Sequence, residues 1–268
     1  MKKSGYFFGM LLCLSCLPDL RAQVVPVEET LFRQSVKSCD EFMYRFNQEE
    51  TFPGLEADDS LLHQKNLLLL FDHELVSKDK DKFYAAFQDF YQAVSKDSVK
   101  LSYESPEWYA EQLTDFIYQK KQVQLGVVFH TERDMDSLWH WAVVGVNGLE
   151  KIGVPHTLRR MGISPEQHES EFMELESCFK FYKNDFSQFR SLHIPLDRLS
   201  YFFALVESEA LKFDRRSSLK YYFFEVPGYV FSVSFFSRKS GNSGWLISNF
   251  VKVDEAEKQK YKNKILGK

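Results

Sequence analysis

The stretch Val123-Gln124-Leu125-Gly126-Val127-Val128-Phe129-His130 alternates apolar Val123, Leu125, Val127 and Phe129 with Gln124, Gly126, Val128 and His130. A period of two marks a half-buried strand. Polar residues from Thr131 to Ser137 turn the chain, Leu138 to Val146 reads as the return strand of a hairpin, and Asn147-Gly148 ends the unit.

Upstream the period is helical. Residues 29–47 put Phe32, Val36, Cys39, Phe42 or Met43, and Phe46 on one face, and a loop with Pro53-Gly54 follows. Helices are predicted over 60–75 and 79–95, the second with a stripe of Phe83, Phe87, Phe90 and Val94. Ser105-Pro106-Glu107-Trp108 offers an N-cap serine with proline at the first helical position, so a fourth helix is predicted through Tyr109, Leu113, Phe116 and Ile117 to Lys120-Lys121.

Downstream the same order returns. Ser164-Pro165-Glu166-Gln167 is a capping box opening a helix with Phe172, Leu175, Phe179, Tyr182, Phe186 and Phe189 on one stripe. Another helix, over about 196–211, carries Leu199, Phe202, Phe203 and Val206. Three strands follow, at 219–226, 229–238 and 245–253, and the charged tail is predicted to fray or form a loose helix. Helices followed by antiparallel strands indicate an α+β class, with helices packed on curved antiparallel sheet. The expected regions are residues 1–22, a helical region with a hairpin at 23–150, a second α+β region at 151–253, and the tail at 254–268.

Of the 268 residues 44% are hydrophobic and 27% charged, which excludes a disordered chain. Aromatic residues reach 16%, from 26 Phe, 13 Tyr and 4 Trp, enough rigid apolar surface for a large core. At the N-terminus Lys2-Lys3, an apolar stretch from Tyr6 to Leu17 and the closing Leu20-Arg21-Ala22 read as a secretory signal peptide cut after Ala22. Cys16, preceded by Cys13-Leu14-Ser15, is the alternative as a lipidated cysteine. The expected destination is periplasmic or extracellular, with no transmembrane span in the mature chain. Loss of Lys2, Lys3, Arg21 and Asp19 takes the net charge from -4 to -6, which does not suit a nucleic-acid partner. The mature chain keeps Cys39 and Cys178, which an oxidising compartment would allow to pair; two buried thiols are the alternative.

The consecutive strands of the second half, and the closing Gly244-Trp245-Leu246-Ile247, resemble the NTF2-like (cystatin-like) α+β roll over residues 164–253. That resemblance implies helices packed into the concave face of a curved sheet, with two such halves if the first region repeats the second. Ser38-Cys39 with Phe42 and Ser177-Cys178 with Phe181 hint at such a duplication. The whole chain also resembles small exported bacterial proteins. Members of the NTF2-like superfamily range from enzymes to binding modules, so the resemblance leaves function open.

The sequence contains no HExxH, GxSxG, Walker or GxGxxG motif. No cofactor or metal site is expected. The first hairpin carries His130, Glu132 and His140, which fall on one sheet face when the turn centres near Asp134 and His130 lies opposite Leu138. A carboxylate beside two imidazoles suits acid/base chemistry, and a polar outer face explains the same residues without function. A one-residue slip would separate the histidines. Trp139 and Trp141 point the other way and, with Trp108, would line an apolar pocket or pack as core. His168-Glu169, the pairs Arg159-Arg160 and Arg215-Arg216, and Ser232, Ser234 and Ser248 read as surface positions.

Three functions follow from these residues. The first is an exported non-enzymatic module binding a small ligand or an envelope protein. The second is a hydrolase or lyase using His130, Glu132 and His140, and the third an envelope assembly or accessory protein with an exposed apolar patch.

Overall fold

The computed structural model describes residues 35–56, 59–153, 198–238 and 241–268. The expected signal peptide, Arg159-Arg160, the helix from Ser164 with its Phe stripe, His168-Glu169 and Cys178 lie outside these residues.

Ser38 starts the first helix, its Oγ accepting the Glu41 backbone N–H at 3.1 Å. This helix, α1 (Cys39–Phe46), buries Cys39, Phe42, Met43 and Phe46, the face expected from their spacing. Next come α2 (Leu62–Leu69), α3 (His73–Lys78) and α4 (Lys80–Lys96), the last two capped by Asp72 and Asp79. Phe83, Phe87, Phe90 and Val94 form the buried stripe of α4. The single helix predicted over 60–75 is broken because the chain leaves it at Leu70 and Phe71 to bridge the last strand. There Ile247 N–H donates to Leu70 O at 2.8 Å and Asp72 N–H to Ile247 O at 3.0 Å.

The strands are β1 (Trp108–Tyr118), β2 (Lys121–Arg133), β3 (Trp139–Asn147), β4 (Leu211–Phe223), β5 (Tyr229–Phe236) and β6 (Gly244–Lys252). A 3-10 turn (Leu149–Ile152) follows β3, α5 (Arg198–Glu207) precedes β4, and α6 (Glu255–Ile265) follows β6. Among the described residues all these strands pair antiparallel, in one open sheet of order β3-β2-β1-β4-β5-β6. The α+β class is therefore correct. The two sets of three strands meet through β1 and β4, so the sheet runs continuously across the middle of the sequence.

The helix predicted from Ser105 is instead β1, a central strand. Ser105 Oγ does accept the Glu107 N–H at 3.1 Å, as an N-cap would, but that local bond equally closes a turn from which the chain continues extended. Trp108, Ala110 and Phe116 are buried between neighbouring strands, and the period-two burial of Trp108 and Ala110 prevailed over the Tyr109–Leu113–Phe116 helical spacing. The β1–β2 hairpin was hidden as well. Its two loop residues, Gln119 at φ 48° and Lys120 at φ 66°, both take left-handed backbone, where Asn-Gly is the usual sequence mark.

The two sheet faces are covered differently. On the inner face α1, α2 and α4 press a layer of rings against the strands. Phe223 stacks on Phe231 at 5.0 Å and on Trp108 at 5.9 Å. Phe42, Phe46 and Phe90 cover this row from the helices at 5.9, 5.7 and 5.7 Å. A second inner cluster joins Phe202 of α5 to Phe116, Leu125, Val127, Val146 and Leu211. On the outer face α6 lies over Val128, Phe224 and Val230.

The tail expected to be loose is thus a packed helix. Asp254 and Glu257 form a reciprocal capping box at its start, a motif legible in the sequence. Lys258 is buried and donates its ammonium to Phe224 O at 2.9 Å and Val226 O at 3.1 Å, while Lys262 pairs with Glu107. Beside this anchor sits Glu225. Its burial, reinforced by the Glu107 carboxylate, outweighs hydrogen bonds from Ser105 and the backbone and pushes its carboxyl up to about 7.

Two outcomes follow. Phe231→Ala should lower unfolding free energy by about 3–5 kcal/mol in urea titration, since it empties the centre of the ring layer. Glu225 binds its proton more tightly folded than unfolded, where 4.5 is normal. Its stabilising contribution is therefore complete below the unfolded pKa and lost as pH rises through about 7. Melting temperature should fall less between about pH 5 and about pH 8 in Glu225→Gln than in the parent protein; equal falls would refute the assignment.

Candidate functional site

The hairpin of β2 and β3 turns at Asp134, whose Oδ1 accepts the N–H groups of Asp136 at 2.9 Å and Leu138 at 2.8 Å. The loop Asp134–Leu138 is centred on Asp136, two residues beyond the expected centre, so His130 lies opposite Ala142 rather than Leu138, and His140 opposite Glu132 rather than Val128. The displacement is an even number of residues, and parity decides the face. His130, Glu132 and His140 therefore share the outer face, as read from the sequence. Among the described residues no hydrogen bond joins the three side chains. His130 is half-buried against the Tyr109 ring at 5.4 Å, and its Nε2 is buried without a hydrogen-bond partner among the described residues. Glu132 and His140 are exposed. No group of three or more His, Cys, Asp or Glu capable of holding a metal occurs among the described residues.

On the opposite face the row Trp108, Thr131, Trp141 crosses three strands. Trp108 is fully buried in the ring layer, so it does not line an open pocket. Its ring meets Trp141 edge-on at 5.2 Å, and its Nε1 donates to Tyr103 O, which also accepts from the Thr131 hydroxyl. Trp141 and Trp139 continue the aromatic layer outward to the sheet edge, where they are 47% and 39% exposed. The Arg133 guanidinium lies over the Trp139 ring at 4.8 Å, and Met135 and Leu138 at the hairpin tip are exposed too. This end of the sheet is an exposed apolar patch built on a rigid core.

The two sheet edges are finished differently. Beside β6, Val36 N–H donates to Ser243 O and Trp245 N–H to Val36 O, at 3.1 and 2.8 Å, while Phe71 bridges Ile247. Gly244 is required there: its φ is 92°, and a Cβ would fall 1.9 Å from Val36 O. Edge strand β3 pairs with β2 alone among the described residues, and Trp139–Asn147 contains no Asp, Glu, Lys or Arg.

Arg215 and the three serines have structural partners. Arg215 pairs with Asp115 at 2.9 Å and holds that carboxyl below the usual carboxylate range. Ser248 exchanges hydrogen bonds with Ser232 and Ser234. Cys39 is buried and unpaired among the described residues, its thiol pushed up to about 12 chiefly by burial; Cys178 lies outside the described residues. A site not read from the sequence is an open cleft of about 670 Å³ between α6 and the outer face, with Glu111, Asn147, Tyr222 and Lys264 in its lining. It was missed because its cations sit in the tail taken to be loose, although the capping box at Asp254 marked a helix.

No helix among the described residues is long and apolar enough to cross a membrane. Neither a family model, nor a curated protein, nor a solved structure matches the chain.

Because Trp141 covers an edge of Trp108, Trp141→Ala should destabilise by about 1–3 kcal/mol in chemical denaturation. Trp139→Ala, whose ring rests on exposed Arg133, should cost less than about 1 kcal/mol by the same measurement.

Proposed function

We propose that this is an exported, non-enzymatic binding module that engages an envelope protein by accepting an extended apolar segment of it along the edge of β3 near Trp139 and Trp141, which is unpaired among the described residues. The observation that carries the reading is the exposure of Trp139 and Trp141 on an uncharged edge strand whose far counterpart, β6, is closed by the chain itself. Edge strands left open are ordinarily protected by lysine, proline or an inward charge, because their unpaired N–H and C=O groups template pairing with another chain. Strand addition satisfies those groups, and alternate side chains meet the tryptophans. Tryptophan presents a large area at low entropic cost and is enriched where binding energy concentrates. The rigid Trp108 ring behind Trp141 keeps that surface in place without a partner. Reading the protein as an exported module rests on the N-terminal Lys2-Lys3 and the apolar run that follows.

The test is photo-crosslinking in the native host, with a benzophenone side chain introduced at position 139 or, as a control, at exposed position 80 of α4. A discrete adduct with one envelope protein from position 139, absent from position 80 and lost when Trp141 is replaced by Lys in a folded protein, is expected. The same adduct from both positions, no adduct from position 139, or an adduct only with a second copy of this chain would overturn the reading.

A further inference from the structure

We infer that the cleft between α6 and the outer sheet face is a second binding site, for an anionic saccharide. Three kinds of group converge there. Lys260, Lys264 and Lys268 line one wall, all exposed, and none makes an ion pair among the described residues. This concentration of positive charge stands out in a chain of net charge -4. Across the cleft Glu111 offers carboxylate oxygens held in place by Tyr222 Oη at 2.9 Å and Asn147 Nδ2 at 3.1 Å. Each oxygen keeps a further lone pair for a ligand donor. Tyr222 on the sheet side and Tyr261 on the helix side add aromatic rings to the lining.

A simple anion would use the lysines and be repelled by Glu111. A neutral sugar would use Glu111 and the rings and leave three cations unused. A ligand carrying hydroxyl donors, a ring face and a carboxylate or sulfate uses all three. The volume of about 670 Å³ falls in the range of small-molecule clefts. The floor is fixed rather than adaptable. Asn147 Nδ2 also donates to Ile265 O at 2.6 Å, tying the end of α6 to β3, and Arg198 donates to Gly267 O at 2.8 Å. Lysines in the last turn of a helix also complement its dipole, and that role alone would require neither Glu111 nor the tyrosines opposite.

The experiment is calorimetric titration of the purified protein with trigalacturonate, maltotriose and the acyclic triacid tricarballylate. Trigalacturonate should bind at least about tenfold more tightly than either of the others. The double variant Lys260→Glu/Lys264→Glu should weaken it by about tenfold or more, while Lys80→Glu/Lys82→Glu, which makes the same change in net charge on α4, should not. Glu111→Gln should weaken trigalacturonate and leave tricarballylate unchanged or tighter. All these positions except Glu111 are exposed, so folding is preserved, and thermal melting verifies it. Equal losses in the two lysine variants, tricarballylate binding as tightly as trigalacturonate, or no trigalacturonate binding at about 1 mM would overturn the inference.

Discussion

The stacking of Phe223 between Trp108 and Phe231 is the contact on which the rest of the molecule depends. These three side chains come from β1, β4 and β5, so the row forms only when the two halves of the chain join through β1 and β4. Two helices then find their places against it, through Phe42 and Phe46 of α1 and Phe90 of α4, while Phe71 of the α2–α3 connection meets Phe83, Phe87 and Phe90 edge-on. Rings fit such a layer because stacked and edge-on pairs add specific geometry to the burial of apolar area. An inner face filled in this way is given over to packing among the described residues, and the exposed aromatic surface lies at the margins.

Both margins draw on that interior. At the β3 edge the layer continues past Trp108 to Trp141 and Trp139, which are partly exposed. On the outer face, the buried Lys258 ammonium and the Lys262–Glu107 pair fasten α6 to the sheet, and fastening the helix creates the cleft along its far end. Glu225 shows the cost of that arrangement. It shares the apolar surroundings of the helix anchor with no ion pair to its own oxygens among the described residues, so its proton is held more tightly.

Several elements were legible because their cause is local. The α4 stripe, the β2–β3 hairpin, the strands β5 and β6, and the shared face of His130, Glu132 and His140 all follow from periodicity, and periodicity survives a displaced register of even length. β1 was not legible. Its start signal at Ser105 serves a helix or a turn equally, its hairpin loop lacks glycine, and its helical spacing was overruled by neighbours on both sides. The tail was legible in principle through Asp254 and Glu257, but high charge suggested solvent where a buried Lys258 finds two carbonyls.

By itself, then, the sequence determined the α+β class, the aromatic character of the core and which face each hairpin residue takes, because these depend on spacing along one segment. Tertiary structure alone decided that the strands form one continuous sheet, that Trp108 is interior while Trp139 and Trp141 reach the edge, that β6 is closed while β3 pairs with β2 alone among the described residues, and that three tail lysines and Glu111 line one cleft. Each of those facts requires residues far apart in the chain to meet, and the free energy that selects the meeting is carried by packing and hydrogen bonding between segments, which no local pattern contains.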